Sequence, residues 1–224
     1  MIVVLFDIDG TLLNCHDSAR RSYNATFAKL FSITNAMEDV SVHGQTDPSI
    51  IHAVATKHLN RDFTDTEISI VENLYLHFLS LELADSSRFD VLPGAHNLCR
   101  RLLDSEKFII GIQTGNFERA AWCKLKRASM NMYFKFGGFG SDSSIRAELV
   151  RIAIDRGVKL YNMDRDDIEG IYLIGDSPQD ITSGKTAGIK TIAVASGSYS
   201  HPELEKGAPD FLLNELNEAI NIFF

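Results

Sequence analysis

The chain opens on six apolar residues, Met1-Ile2-Val3-Val4-Leu5-Phe6, that run straight into Asp7-Ile8-Asp9-Gly10-Thr11-Leu12. A short apolar run rich in Ile and Val reads as a buried strand. Buried on both faces, such a strand belongs in a parallel sheet covered by helices. Asp7 and Asp9 stand two residues apart, so an extended chain sends both carboxylates the same way. They lie at the carboxyl end of the strand, where open α/β sheets bind their ligands. Two carboxylates held this close repel, and they are tolerated if a cation lies between them or if one keeps a proton. An EF-hand calcium loop needs Gly at its sixth position and Glu at its twelfth. Counted from Asp7, the Gly is fourth and the twelfth residue is Ser18, which excludes that loop.

With 224 residues the chain is long enough for a substantial core. Its 45% hydrophobic and 23% charged residues are those of a soluble globular protein. The net charge of -8, with no Lys/Arg cluster, argues against a general nucleic-acid partner. Cys15, Cys99 and Cys123 form no C-x-x-C pair, so neither a disulfide frame nor a zinc site is expected, and reducing cytoplasm is the expected location. The N-terminal apolar run is too short for a signal peptide or a membrane span.

From Asp17 the periodicity turns helical. Asp17 is placed to cap a helix with Tyr23, Phe27, Leu30 and Phe31 on one face. After a break at Val42–Pro48, Asp47 as N-cap and Pro48 at the first helical position open a second helix. Thr64-x-x-Glu67 is a capping box for a third, with Val71, Leu74, Tyr75, Phe78 and Leu81 as its apolar stripe. Residues 15–88 therefore read as an all-helical insertion. Strand–helix alternation follows: a helix after Pro93-Gly94, a strand over Phe108–Ile112, a helix with Trp122 and Leu125, a weaker strand over Tyr133–Phe139, and a helix opened by Ser143-Ser144. The strands Ile171–Ile174, Thr191–Val194 and Phe211–Leu213 complete the series, with Gly188 ending the helix between the first two. The order predicts an α/β fold, a doubly wound Rossmann-like parallel sheet formed by residues 1–14 and 89–224, carrying a helical cap domain at 15–88.

The ends of separate strands then carry Asp7 and Asp9, Thr114 and Asn116, and Asp176 with Asp180. Carboxylates without His or Cys suit a hard cation, and magnesium commonly shares its shell with a substrate phosphate. Thr114 and Asn116 offer a hydroxyl and an amide to phosphate oxygens. Arg146 is the candidate cation for charge on a transferring group, because its planar fork pairs bidentately with phosphate. Ser183-Gly184-Lys185-Thr186 is not a P-loop, since Gln179 stands where that motif requires Gly.

Together these residues resemble the haloacid dehalogenase superfamily across essentially the whole chain, in the phosphoglycolate phosphatase-like subgroup with a helical cap. Asp7-Ile8-Asp9-Gly10-Thr11-Leu12 is similar to its first motif, Thr114-Gly115-Asn116 to its second, and Gly175-Asp176-Ser177-Pro178-Gln179-Asp180 to its fourth. The resemblance implies that Asp7 is a nucleophile forming an aspartyl-phosphate. It implies that Asp9 protonates the leaving oxygen and then serves as base toward water. Mg2+ would be held by the Asp7 carboxylate, the Asp9 main-chain carbonyl and Asp176, with Asp180 as a ligand or behind the ligands. The third motif usually supplies Lys; here Arg146 stands in its place, and Lys124, Lys126 and Lys135 are the alternatives.

An acid at Asp9 implies phosphoryl transfer rather than dehalogenation. The mutases of the family carry His ten residues after the second Asp, where this chain has Ala19, and a basic residue in the cap loop, where Gly44-Gln45-Thr46-Asp47 has none. The reading is therefore a Mg2+-dependent phosphatase for a small phosphorylated metabolite, in a monomer or homodimer. A sugar-phosphate mutase of the β-phosphoglucomutase kind and a non-catalytic phosphate binder are the alternatives. His43 and Gln45 either touch the leaving group or form a plain inter-helix loop.

Overall fold

A computed structural model describes residues 1–42 and 44–224 of the chain. Strand β1 (Ile2–Phe6) leads to a short β2 (Leu13–Asn14), and the helices α1 (Ser18–Phe31), α2 (Asp47–Leu59) and α3 (Asp65–Ala84) follow. A short β3 (Asp90–Val91) and α4 (Ala95–Leu103) precede the alternating series. That series is β4 (Phe108–Thr114), α5 (Glu118–Arg127), β5 (Gly137–Phe139), α6 (Arg146–Leu160), β6 (Gly170–Gly175), α7 (Pro178–Ala187) and β7 (Lys190–Val194). The chain closes with α8 (His201–Glu205), β8 (Phe211–Leu213) and α9 (Ile220–Phe223).

The sheet is six-stranded, in the order β5-β4-β1-β6-β7-β8, and all its pairings are parallel. The first strand of the sequence thus lies in the middle, with β4 on one side and β6 on the other. The sheet grows outward in both directions from β1, and the point where its direction of growth reverses is where doubly wound sheets open a ligand crevice.

Strand periodicity divides the core into two faces. Val4 and Phe6 pack with Leu98 and Leu102 of α4 and Ala121 and Leu125 of α5. Val3 and Leu5 pack with Val150, Ala153 and Ile154 of α6. The first face does not stop at the sheet: Tyr23 and Phe27 of α1, Ile51 and Val54 of α2, and Val71 and Tyr75 of α3 belong to the same apolar cluster. The rings of Tyr23 and Tyr75 stack at 4.0 Å between centroids, 8° from parallel, and both residues are buried.

Local signals hold with informative exceptions. Thr64 and Glu67 form the expected capping box at α3. Helix α2 is capped by Thr46, whose side chain accepts from the Ser49 N–H, so Asp47 is the first helical residue rather than the cap. On α3 the buried stripe is Val71, Tyr75, Leu79 and Leu83, and Leu81 is exposed, because the stripe follows the face turned to α1. Ser143 bonds the Ile145 N–H and Glu148 just outside α6, which begins only at Arg146. The strand expected over 133–139 shortens to Gly137–Phe139; Phe134 and Phe136 are buried on opposite faces of the sheet before pairing with β4 begins. Strands β2 and β3 were not legible, since two-residue pairings leave no period to read; they pair antiparallel where the chain leaves and re-enters the sheet layer.

Candidate active site

Asp7 continues the line of β1. Its N–H donates to the Ile174 carbonyl at 2.9 Å, which keeps the backbone extended until the carboxylate clears the sheet. Because Phe6 pairs with Ile174 and with Ile112, the continuations of β6 and β4 arrive beside Asp7 carrying Asp176 and Thr114. Gly10 turns the chain away at φ +82°, a conformation costly for any residue with a side chain. A Cβ there would also sit 2.3 Å from Asp176 Oδ2. This glycine therefore lets the fourth motif close onto the first.

The arrangement has two halves. In the first, oxygen atoms of the buried Asp7, Asp176 and Asp180 lie within 4.8 Å of one another. Thr11 donates its hydroxyl to Asp176 Oδ1 at 3.2 Å. Asp180 accepts from the Ser177 N–H and hydroxyl on Oδ2, at 3.1 and 2.6 Å, and is the reciprocal member of the capping box of α7. Its other oxygen pairs with Arg146, whose Nη2 also lies 3.8 Å from Asp7 Oδ2. Both oxygens of Asp180 are engaged by protein donors, which makes it an anchor for Arg146 and for the start of α7. Burial and the neighbouring Asp180 push Asp7 up to about 7, against the pull of Arg146. Burial, Asp180 and Asp7 drive Asp176 well above the usual carboxylate range. An all-oxygen donor set carrying more negative charge than its surroundings compensate is the chemistry a hard divalent cation fits.

The second half surrounds Asp9. Lys124, only 2% exposed, places its Nζ 2.6 Å from Asp9 Oδ2 and 2.6 Å from Asn116 Oδ1. The Asn116 amide donates to Asp9 Oδ2 and to Thr114 Oγ1, both at 2.8 Å. The Cys15 thiol is 3.4 Å from Asp9 Oδ1. Enclosure would raise the Asp9 carboxyl, but the Lys124 charge and the bonds from Lys124, Asn116 and Cys15 hold it below the ordinary value. Burial likewise works against the Lys124 ammonium, and Asp9 with its neighbours keeps it well above the usual lysine range. Two adjacent carboxylates are thereby pushed in opposite directions, Asp7 toward its protonated form by burial and Asp180, and Asp9 toward its ionised form by Lys124.

The halves share a cavity of about 220 Å³ lined by residues that include Asp7, Asp9, Thr114, Asn116, Arg146 and Asp176. Gly115 and Gln45 line it too. His43 lies outside the described residues. The α2 end closes over the second-motif loop through two hydrogen bonds: the Asp47 N–H donates to the Gly115 carbonyl at 2.7 Å, and the Phe117 N–H donates to Asp47 Oδ2 at 2.6 Å. A Cβ on Gly115 would meet the Gln45 carbonyl oxygen at 2.2 Å, so only glycine permits this approach.

All the other expected residues meet here. Arg146 stands beside Asp7, its Nη2 3.8 Å from Asp7 Oδ2. Lys126 and Lys135 are exposed, and Lys135 lines a separate surface groove. Lys124 is not a substitute for Arg146; it pairs with Asp9 instead. Its signal was present in the sequence, since it falls on the stripe Phe117, Ala120, Ala121, Lys124, Leu125, Ala128, where an ammonium is out of place. Thr11 and Gln113 were also missed as site residues. Gln113 is fully buried, with its Oε1 3.5 Å from Arg146 Nη2.

The family model for haloacid dehalogenase-like hydrolases matches residues 4–194. The chain belongs to this family. Among curated relatives, pyrophosphatase PpaX of Bacillus pumilus is 25% identical over 225 residues, covering 98% of this chain and 94% of its own. Among solved structures, a predicted phosphoglycolate phosphatase from Haemophilus somnus superposes with a TM-score of 0.71 at 15% identity, over 99% of this chain and 97% of that one. CbbY from Rhodobacter sphaeroides, in complex with phosphate, superposes at 0.74 with 19% identity over 97% and 95%. These structural likenesses extend the shared fold over the full length. The protein is an enzyme of the haloacid dehalogenase-like hydrolases. Among the described residues no helix is long and apolar enough to cross a membrane.

Proposed function

We propose that the protein is a Mg2+-dependent phosphatase that hydrolyses a small phosphomonoester through an aspartyl-phosphate on Asp7, with the helices of residues 15–88 acting as its cap domain. The observation that carries the reading is geometric: the carboxylates of Asp7, Asp176 and Asp180 converge beside Arg146, and Asp7, Asp176 and Arg146 line one cavity with Asp9, Thr114 and Asn116. Asp7 sits with Asp176, Asp180 and Arg146, a setting for an anionic phosphoryl group once a cation is present. Asp9 stands in the same cavity, held at Oδ2 by Lys124 and Asn116, where we assign it the proton transfer to the leaving oxygen.

Magnesium would be held by Asp7, Asp176 and the Asp9 main-chain carbonyl, and when bound it neutralises charge on Asp7 and on the phosphoryl oxygens. An Asp7 oxygen attacks phosphorus, the ester P–O bond breaks, and its electron pair leaves on the ester oxygen, which takes a proton from Asp9. Water then attacks the aspartyl-phosphate, Asp9 accepts its proton, and the P–O bond to Asp7 breaks to restore the carboxylate. Arg146 holds phosphoryl oxygens from the side of Asp180. Thr114 and the Gly115 loop bound the other side, where the cap loop excludes water.

The full-length likeness to a pyrophosphatase favours inorganic pyrophosphate as the second substrate reading. A monoester agrees better with the cavity's charges. Its described lining cations Lys124 and Arg146 are paired with Asp9 and Asp180. A second phosphate would need a cation of its own. Phosphate release from p-nitrophenyl phosphate, alkyl and sugar phosphates, phosphoglycolate and pyrophosphate tests both readings. Turnover of monoesters that requires Mg2+ and falls at least about 10⁴-fold in Asp7→Asn is expected. No turnover by folded protein would sink the proposal, and turnover of pyrophosphate alone would replace it with the second reading.

A further inference from the structure

Lys124 is an unusual residue to find where it is. It stands on the apolar face of α5 beside Ala120, Ala121 and Leu125, 2% exposed. An ammonium in such a place is costly, and a hydrophobic side chain of similar volume is commonly as stable or more so. Charge neutralisation at the nucleophile does not account for it, because Arg146 stands beside Asp7 and its pairing partner is Asp180.

Its contacts define a different task. Nζ reaches Asp9 Oδ2 at 2.6 Å, and the Asn116 amide reaches the same oxygen at 2.8 Å. Lys124 also bonds Asn116 Oδ1 at 2.6 Å, fixing which way that amide faces, and the amide's remaining bond runs to Thr114 Oγ1. Two strong donors thus converge on one oxygen of the carboxylate. Among the described residues, the other oxygen, Oδ1, meets the weakly donating Cys15 thiol at 3.4 Å. A carboxylate gripped in this way cannot rotate freely, and its two oxygens are no longer equivalent.

We infer that Lys124 is a positioning residue for proton transfer: it clamps Asp9 through Oδ2, directly and through Asn116, so that Oδ1 is the oxygen that exchanges a proton with the leaving group. The inference rests on the proposed role of Asp9. A misplacement of a reacting group by about 1 Å can cost on the order of 10²-fold in rate. The loss should depend on how much the leaving oxygen needs its proton.

The test compares kcat/KM, which reports the step that expels the leaving group, for p-nitrophenyl phosphate and for the best alkyl phosphate of the substrate panel. Nitrophenolate departs without a proton, whereas an alkoxide does not. Lys124→Met should lower the alkyl ester by about 100-fold or more and the aryl ester by less than about tenfold. In an Asp9→Asn background the same substitution should add less than about twofold. Equal losses on both esters, or an undiminished effect without Asp9, would overturn the inference while leaving the phosphatase reading intact. Absence of wild-type turnover on every ester would instead remove the reading beneath it. If Lys124→Met does not fold, Asn116→Ala, which removes one of the two donors to Oδ2 and leaves both charges, must show the same selective loss on the alkyl ester; a uniform loss counts against the clamp.

Discussion

At the scale of single residues, the molecule separates two aspartates that are almost neighbours in sequence. Asp7 is raised to about 7 by burial and by Asp180, and Asp176 rises with it. In the metal-free folded protein these carboxyls keep protons that the unfolded chain has released above about pH 4. Folding therefore takes up protons between the ordinary carboxylate range and pH 7, so stability falls as pH rises through that window. Asp9 carries the opposite sign: its contribution is present above the ordinary range and is lost only as pH falls below it. In EDTA, the melting temperature should drop by about 5 °C or more from pH 5 to pH 7.5. Mg2+, bound by the folded ionised cluster as proposed, should raise it more at pH 7.5 than at pH 5. Asp7→Asn should flatten the metal-free slope. Thermal melts at the two pH values with and without Mg2+ check this, and an Mg2+ shift that does not depend on pH would contradict it.

At the scale of elements, the interplay of α2 with the loop after β4 is the feature most sensitive to one substitution. The Asp47 amide and carboxylate bond the main chain on either side of Asn116, and the Gln45 carbonyl lies where a Gly115 side chain would be. Gly115→Ala should lift the cap loop and press toward Arg146 Nη1, 3.0 Å from where that Cβ would lie. We expect KM to rise about tenfold or more while the sheet, which the loop does not support, loses little: a melting temperature lower by a few degrees, on the order of 1–2 kcal/mol. Steady-state kinetics beside a thermal melt would show it; unchanged KM would mean that the loop does not bear on substrate. Capping signals at this scale were legible at Thr64–Glu67 and at Gly188, whereas the capping box of Ser177 and Asp180 was not read. The stripe of α3 and the start of α6 were less so, because the buried face of a helix is chosen by what packs on it.

For the whole molecule, one apolar cluster runs from Val4 and Phe6 in the sheet through Leu98 and Leu125 to Tyr23 and Tyr75 in the helical insertion. With a shared core there is no seam along which the insertion could melt by itself. Metal-free protein should unfold in one transition, with far-UV circular dichroism and the fluorescence of its single tryptophan, Trp122, coincident, and with calorimetric and van't Hoff enthalpies equal. Separate transitions by the two probes would show that the insertion is an independent unit.

The sequence by itself determined the strand–helix alternation, the helical insertion after β1 and the residues at the strand ends, because these depend on periods of 2 and 3.6 and on capping chemistry that neighbours in the chain carry out. It also marked Asp7, Asp9, Thr114, Arg146 and Asp176 as a set, through motif resemblance. Only the tertiary structure decided how they divide the work. The placement of β1 between β4 and β6 gathers them, and it gives Arg146 to Asp180 and Lys124 to Asp9, a pair 115 residues apart. An ion pair between separate elements is a property of two surfaces meeting, and no local period in the chain records which charge another will face.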